Sequence, residues 1–197
     1  CGNDYTHAVL INTPFANISK NIPKKNRVGL AYEPPYHLGL NKSFINYAKK
    51  NLNKYFIGNK GKLVKPFIEH RAFMWHNKGL KTTPKKDKLM SIIVTDKVTL
   101  KGNKYRHELT NEIIKKKLPI DIYGRDVGNF KTKSPYYKGP FKYDEPYLNY
   151  KFHICIENIS INDYISEKLH NSLLCGTNAI YYGSKNVDKH FNHGILK

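Results

Sequence analysis

Apolar positions along this chain fall into two kinds of run. Short clusters of branched and aromatic residues read as strands: Ala8 to Asn12 (AVLIN), Val28 to Tyr32 (VGLAY), Tyr55 to Ile57, Leu89 to Val94 (LMSIIV), Leu118 to Gly124 (LPIDIYG), Phe152 to Ile156 and Ala179 to Tyr182. Between them apolar residues recur at helical spacing: Phe44, Ile45, Ala48 and Leu52; Leu109, Ile113 and Ile114; Ile165, Leu169 and Leu173. Ser43 can cap the first helix, Asn162 or Asp163 the third, and Gly176 is a plausible stop for it. The second strand ends abruptly at Glu33-Pro34-Pro35, because proline stops both ladder and helix. Around the third helix the order is strand, polar turn, helix, strand. That is a βαβ unit with polar residues gathered where open α/β sheets bind ligands.

Length and composition set bounds on this picture. A chain of 197 residues makes one large domain or two small ones. The Pro/Lys/Thr-rich stretch Lys81 to Lys88 is the linker candidate. It separates a reduced N-terminal part, residues 1–84, from a C-terminal part, residues 85–197. Lys131 to Pro146, rich in Tyr, Gly and Pro, is expected to be an irregular loop near the site. The net charge of +19 comes largely from lysine runs such as Lys24-Lys25, Lys49-Lys50, Lys85-Lys86 and Lys115 to Lys117. Such runs are usually solvated surface. A basic chain with 15 tyrosines is also compatible with binding nucleic acid or an acidic glycan, but no compact nucleic-acid motif accompanies the charge.

Metal and redox chemistry find little support. The three cysteines cannot all pair with one another, and Cys155 and Cys175 sit among apolar residues, so buried thiols are expected. Their spacing does not suggest zinc, and neither H-E-x-x-H nor D-x-D occurs. No apolar segment is long enough to span a membrane and no signal peptide is visible. The expected location is the cytoplasm, although a chain that opens on Cys1 leaves room for an anchor removed from the N-terminus.

The turn before the third helix carries the chemistry. Tyr164, Glu167 and Lys168 are three and four apart, so they are expected to share one face of the first helical turns. A helix start favours anions, Lys168 adds a full positive charge, and Glu167 can accept from sugar hydroxyls. Taken alone, a Glu-Lys pair on a helix is usually just a solvated surface pair.

The longer pattern changes that weighting. F-x-x-x-x-E-N, then D-Y-x-S-E-K-L, then a glycine and an apolar strand ending in glycine, resembles the signature of glycosyltransferase family 10, the α1,3/4-fucosyltransferases. Phe152, Glu157, Asn158, Asp163, Tyr164, Glu167 and Lys168 stand at the matching positions. Ser166 replaces the usual Thr, Ile156 an aromatic residue, and Cys175 a small residue. Upstream, LMSIIV followed by a helix headed by Arg106 resembles the family segment whose Arg contacts the nucleotide diphosphate. LPIDIYG resembles the family strand P-[VI]-D-x-[YF]-G, but lacks the Cys that often follows soon after it. Glu33 matches the family's catalytic base, which follows a comparable strand before a proline. Glu69, in PFIEH, is the reserve candidate. The N-terminal half also resembles short fucosyltransferase-like proteins of large DNA viruses, whose location would be the host cytoplasm.

The resemblance implies an α/β, GT-B-like protein with a Rossmann-type donor domain and a reduced N-terminal α/β acceptor domain. It implies an inverting, metal-independent transfer of fucose from GDP-fucose to a glycan acceptor, with no cofactor and no metal ligands. Glu33 would be the base, and Arg106, Asn158, Tyr164, Glu167 and Lys168 would bind the donor. Nucleic acid is not an expected partner, and no membrane span is expected. Two alternatives stay open: a GT-B transferase using another nucleotide sugar, and an inactive basic protein that binds glycans or nucleic acid.

Overall fold

The structure is a computed structural model that describes residues 4–18, 20–71, 80–82, 84–125 and 134–197. It divides into two compact units, Cys1–Phe73 with Asn162–Tyr164, and Met74–Ile161 with Ile165–Lys197.

The first unit is a parallel four-stranded sheet in the order β1-β2-β3-β4, built from β1 (Ala8–Ile11), β2 (Arg27–Leu30), β3 (Lys54–Ile57) and β4 (Phe67–Glu69). Helix α1 (Lys42–Asn51) joins β2 to β3. Its cap is Asn41, not Ser43: Asn41 has an extended backbone and its side chain accepts from the Phe44 N–H at 2.9 Å. Ser43 therefore lies inside the first turn. Phe44, Ala48 and Leu52 form one buried cluster with Tyr55, Ile57 and Phe67. The Tyr55 ring lies 5.5 Å from Phe44 and 5.3 Å from Phe67, the spacing of edge-to-face and tilted aromatic pairs. Strand β4 escapes a periodicity reading because it is only 3 residues long.

The second unit is a parallel six-stranded sheet. Its elements are β5 (Lys88–Ile93), α2 (Lys101–Lys115), β6 (Asp121–Tyr123), β7 (Tyr137–Gly139), β8 (Tyr150–Ile156), α3 (Glu167–Leu174), β9 (Asn178–Tyr182) and β10 (Ile195–Leu196). The spatial order is β10-β9-β8-β5-β6-β7. Counted from β5, this is the doubly wound order 3-2-1-4-5-6, which reverses between β5 and β8. Ile92, Ile122, Ile154 and Ile156 pack with Ile113 of α2, while Ile165 and Leu169 pack with Ala179 and Tyr181. Cys155 and Cys175 are buried, and neither forms a disulfide.

Three local readings need revision. Helix α2 begins five residues before Arg106, which therefore sits in its second turn rather than at its head. Helix α3 is capped by Ser166, whose hydroxyl accepts from the Lys168 N–H at 3.3 Å. Asp163 is in the left-handed region at φ 58°, so neither it nor Asn162 opens the helix. Within the segment expected to be irregular, the described part contains strand β7. The stop of α3 is as expected. Gly176 at φ 64° donates to the Leu173 carbonyl at 2.9 Å and Thr177 donates to Ser172 at 3.0 Å, the paired bonds of a Schellman ending. In the stretch read as a linker, the Lys86 ammonium is tied to the Leu148 and Cys175 carbonyls, at 2.7 and 2.6 Å, and to the Thr177 hydroxyl at 2.9 Å.

Candidate active site

The order reversal between β5 and β8 opens a cavity of about 900 Å³ in the second unit. A parallel sheet brings the carboxyl ends of its strands to one edge, and at a reversal the flanking helices leave in opposite directions, which makes a crevice. Thr95 and Lys97 reach it from the turn after β5, and Ile156 and Asn158 from the end of β8. Asn103 and Arg106 line it from α2, and Glu167, Lys168 and Asn171 from α3. The charged groups of the wall are Lys97, Arg106, Arg125, Lys142 and Lys168, against the single carboxylate of Glu167. With both helices starting at this edge, the cavity suits a multiply charged anion.

Arg106 is buried and held before any ligand arrives. Its guanidinium donates to the Ile156 carbonyl and, at 3.2 Å, to the Asn158 amide oxygen. Asn103, one turn earlier on the same face, donates to that oxygen at 3.0 Å and accepts from the Leu100 N–H at 3.1 Å. Gly102 makes this possible: its N–H donates to the Asn158 carbonyl at 3.0 Å, and a Cβ there would run into the Glu157 and Asn158 carbonyls. The start of α2 thus lies directly on the loop that presents Asn158.

The start of α3 is pinned by a fully buried carboxylate. Glu157 accepts from the Ser166 N–H at 2.7 Å and from the Ser166 hydroxyl at 2.6 Å. Burial pushes the Glu157 carboxyl up, with Lys168 opposing. Burial also pushes Glu167 up, but the charge and hydrogen bond of Lys168, 2.8 Å away, together with hydrogen bonds from its own backbone N–H and from Ser166, hold Glu167 below the usual carboxylate range. Glu167 is therefore ionised at neutral pH and can accept hydrogen bonds.

The structure thus brings Arg106, Asn158, Glu167 and Lys168 to one cavity. Tyr164 is buried ahead of α3, in the three residues that cluster with the first unit, and is not part of the cavity wall. It does not share a helical face with Glu167 and Lys168. Glu33 follows β2 in the first unit, half-buried. Its N–H and that of Tyr32 both donate to the Asn12 amide oxygen, at 3.1 and 2.9 Å. Asn12 is itself in the left-handed region at φ 64° and closes β1 by donating to the Leu30 carbonyl at 2.9 Å. Glu69 ends β4.

Several lining residues are absent from the sequence reading. Asn103 was findable, since it precedes Arg106 by one helical turn. His153 sits inside an apolar strand run, where its polarity was the only signal. It is buried, its Nδ1 lies 2.7 Å from the Ser91 hydroxyl, and Ser91 in turn donates to the Pro146 carbonyl. Nδ1 therefore carries the proton. Burial, helped by the Arg106 charge, lowers the imidazole pKa to about 3, so the ring stays neutral. The Tyr147 ring packs 4.6 Å from it. Phe141, Lys142 and Tyr143 come from a segment with no periodicity to read. Among the described residues, no group of three or more His, Cys, Asp or Glu could hold a metal ion, and no helix is long and apolar enough to cross a membrane.

Residues 83–194 match the C-terminal model of glycosyltransferase family 10 (fucosyltransferase). No curated protein sequence matches the chain. A crystal structure of an alpha1,3-fucosyltransferase with GDP is similar over 97% of this chain and 60% of its own, with TM-score 0.56 and 15% identity. Another alpha1,3-fucosyltransferase crystal structure is similar over 96% of this chain and 60% of its own, with TM-score 0.53 and 16% identity. The chain thus spans about 60% of the length of these structures. At that identity the likeness is one of fold, the parallel α/β, GT-B-like architecture expected from the sequence.

Proposed function

Because this chain belongs to glycosyltransferase family 10, the fucosyltransferases, we propose that it transfers fucose from GDP-fucose to a hydroxyl of a glycan, with inversion and without a metal ion. The observation that carries this reading is the cavity at the β5/β8 reversal, walled by five cationic side chains and one carboxylate. A nucleoside diphosphate presents two to three negative charges on adjacent phosphates, and such a wall neutralises them.

The acceptor hydroxyl attacks the anomeric carbon as the bond from that carbon to the diphosphate oxygen breaks. Glu33 takes the hydroxyl proton as general base. The sugar passes through an oxocarbenium-like state, and charge grows on the departing diphosphate. Arg106, Lys168 and the N–H groups at the start of α3 stabilise that charge, which is the role a divalent cation plays elsewhere. Asn158, oriented by Arg106 and Asn103, takes part in donor binding, and Glu167 accepts from sugar or ribose hydroxyls. Tyr164 enters this account by family resemblance. The guanine base and the fucose also rest on the family, because the cavity chemistry speaks only to the diphosphate. The proposed location is the cytoplasm.

The test is transfer and hydrolysis measured across GDP-fucose, GDP-mannose and UDP-sugars, each with and without excess EDTA. Turnover of GDP-fucose alone, unchanged by EDTA, is expected. Turnover of another donor overturns the fucose assignment. Loss on chelation, restored by Mn²⁺, overturns the metal-independent mechanism. Donor binding with no transfer or hydrolysis points to a binding protein.

A further inference from the structure

In the first unit, lysines gather at the edge where the strands begin. Lys24 and Lys25 immediately precede β2, Lys54 opens β3, and Lys65 stands just before β4. Lys49 and Lys50 close α1, which ends at the same edge. The pieces are tied together: the Lys24 ammonium donates to the Lys49 carbonyl at 2.8 Å, and the Asn53 amide to the Lys25 carbonyl at 2.9 Å. All six lysines are exposed. Among the described residues none of the six is in an ion pair, whereas six lysines of the second unit, a minority of those described there, pair with Asp121, Glu112, Glu167 and Asp188. The carboxylates of Glu33 and Glu69 stand at the opposite ends of their strands, and Asp4, ahead of β1, is the one acidic side chain on the lysine side.

The fold itself accounts for little of this. Lys49 and Lys50 complement the carbonyl end of α1. Lys24 bonds one of those carbonyls, whereas Lys25, Lys54 and Lys65 repel their neighbours with Asp4 the one acid among the described residues on that side. We propose that this edge docks on an anionic lipid surface. Lysine ammonium groups are compact point charges that respond to charge density rather than to the shape of a ligand. A leaflet carrying anionic headgroups attracts such polybasic clusters. The nearby arginine, Arg27, is occupied with the Ile22 carbonyl at 2.8 Å. No aromatic residue occurs within 24–27, 49–54 or 64–65, and among the described residues Tyr5, ahead of β1, is the one exposed ring placed on this edge, so the succession of stacking rings that single-stranded nucleic acid uses is missing. Exposed Val64, beside Lys65, supplies an apolar contact suited to the interface instead.

The experiment is co-sedimentation of the full chain with phosphatidylcholine vesicles, with and without phosphatidylserine, and a parallel titration with duplex and single-stranded DNA. Binding is expected only to the phosphatidylserine vesicles, and it should weaken as salt rises. The variant K25Q/K50Q/K54Q/K65Q should lose at least about tenfold in partitioning. The charge-matched variant K104Q/K115Q/K151Q/K185Q, on exposed positions of the second unit, should lose less than about twofold. Equal losses in the two variants would mean that net charge alone drives binding, and would overturn the proposal. So would tighter binding to DNA than to vesicles, or no vesicle binding at low salt. Should the fourfold variant fail to fold, K50Q/K65Q serves in its place, with an expected loss of at least about threefold.

Discussion

In the first unit, α1 lays Phe44, Ala48 and Leu52 against Tyr55, Ile57 and Phe67, and the described core holds no buried charged side chain. In the second, a similar helix-on-sheet layer hides Arg106, His153, Glu157, Ser166 and Asn171. Every buried polar or charged side chain among the described residues belongs to that second unit. Burying such groups costs several kcal/mol unless each finds partners, so a fold collects them only where they are used. Here Asn103, Arg106, His153 and Asn171 line one cavity, and Ser91, Glu157 and Ser166 are hydrogen-bonded behind its wall. The difference assigns preorganised binding to the second unit and leaves the first to act through side chains at the ends of its strands.

The sharpest way to break this division is Glu33→Gln. The backbone at Glu33 is fixed by Asn12, not by the carboxylate, so the substitution keeps the shape and removes the basicity. Turnover should fall by about 10²–10⁴-fold, the usual worth of a general base, with GDP-fucose affinity and melting temperature unchanged. Near-normal turnover in Glu33→Gln together with loss in Glu69→Gln would move the base to the end of β4. A loss of donor affinity in Glu33→Gln would show the first unit binding donor, against the comparison.

Acid should destabilise the second unit through His153. Its folded pKa, about 3, lies below the ordinary value of 6.5, so the unfolded chain takes up the proton first. The contribution of this group is intact above pH 6.5 and is lost as pH falls toward 3, at about 1.4 kcal/mol per pH unit. The amide of His153→Asn can keep a donor toward Ser91 without titrating there. Urea midpoints measured between pH 7 and 4 should therefore fall more steeply for the wild type than for His153→Asn. Parallel curves would mean that the imidazole is not held neutral.

How much of this was legible in advance follows the same contrast. Strands rich in branched residues and helices with apolar repeats declared themselves, because burial on one face imposes a period. Strands β4, β7 and β10 are two or three residues long, too short to show one. Arg106, Asn158, Glu167 and Lys168 were found through a motif, and they share a cavity. Asn103 was within reach, one helical turn before Arg106; what stayed hidden was the rest of the hydrogen-bonded support, Ser91 with His153 and Glu157 acting on Ser166. Ser91 and His153 meet across paired strands, and Glu157 reaches Ser166 only once the loop between β8 and α3 has folded. The cap of α3 was misplaced for that reason, since Asp163 and Asn162 are sound local candidates until Glu157 fixes Ser166 instead.

A smaller effect tests whether the buried cation is preorganised for phosphate. Arg106→Ala and Lys168→Ala should each weaken GDP binding by about 1.5–3 kcal/mol, the range for charge-assisted hydrogen bonds. Arg106→Lys should recover only part, because an ammonium is a point charge without the planar guanidinium, one nitrogen of which holds both the Ile156 carbonyl and the Asn158 amide. Calorimetry showing unchanged GDP affinity in both alanine variants would remove the site from this cavity.

The smallest effect separates stability from binding within the first unit. Asn41 caps α1 with one hydrogen bond to the Phe44 N–H at 2.9 Å, and Phe44 is the helix's main core contact. Asn41→Ala leaves that N–H without its side-chain acceptor and should cost about 1 kcal/mol. Ser43→Ala should be close to neutral, because Ser43 is already inside the first turn. Urea denaturation checks both. GDP affinity should be the same in the two variants, since α1 belongs to the unit whose described core holds no buried charged side chain. If Ser43→Ala proves the more damaging, the helix starts where the local sequence alone would place it, and the packing of Phe44 needs a different anchor. If Asn41→Ala also weakens GDP binding, the units are coupled in a way that the contrast in their cores does not reveal.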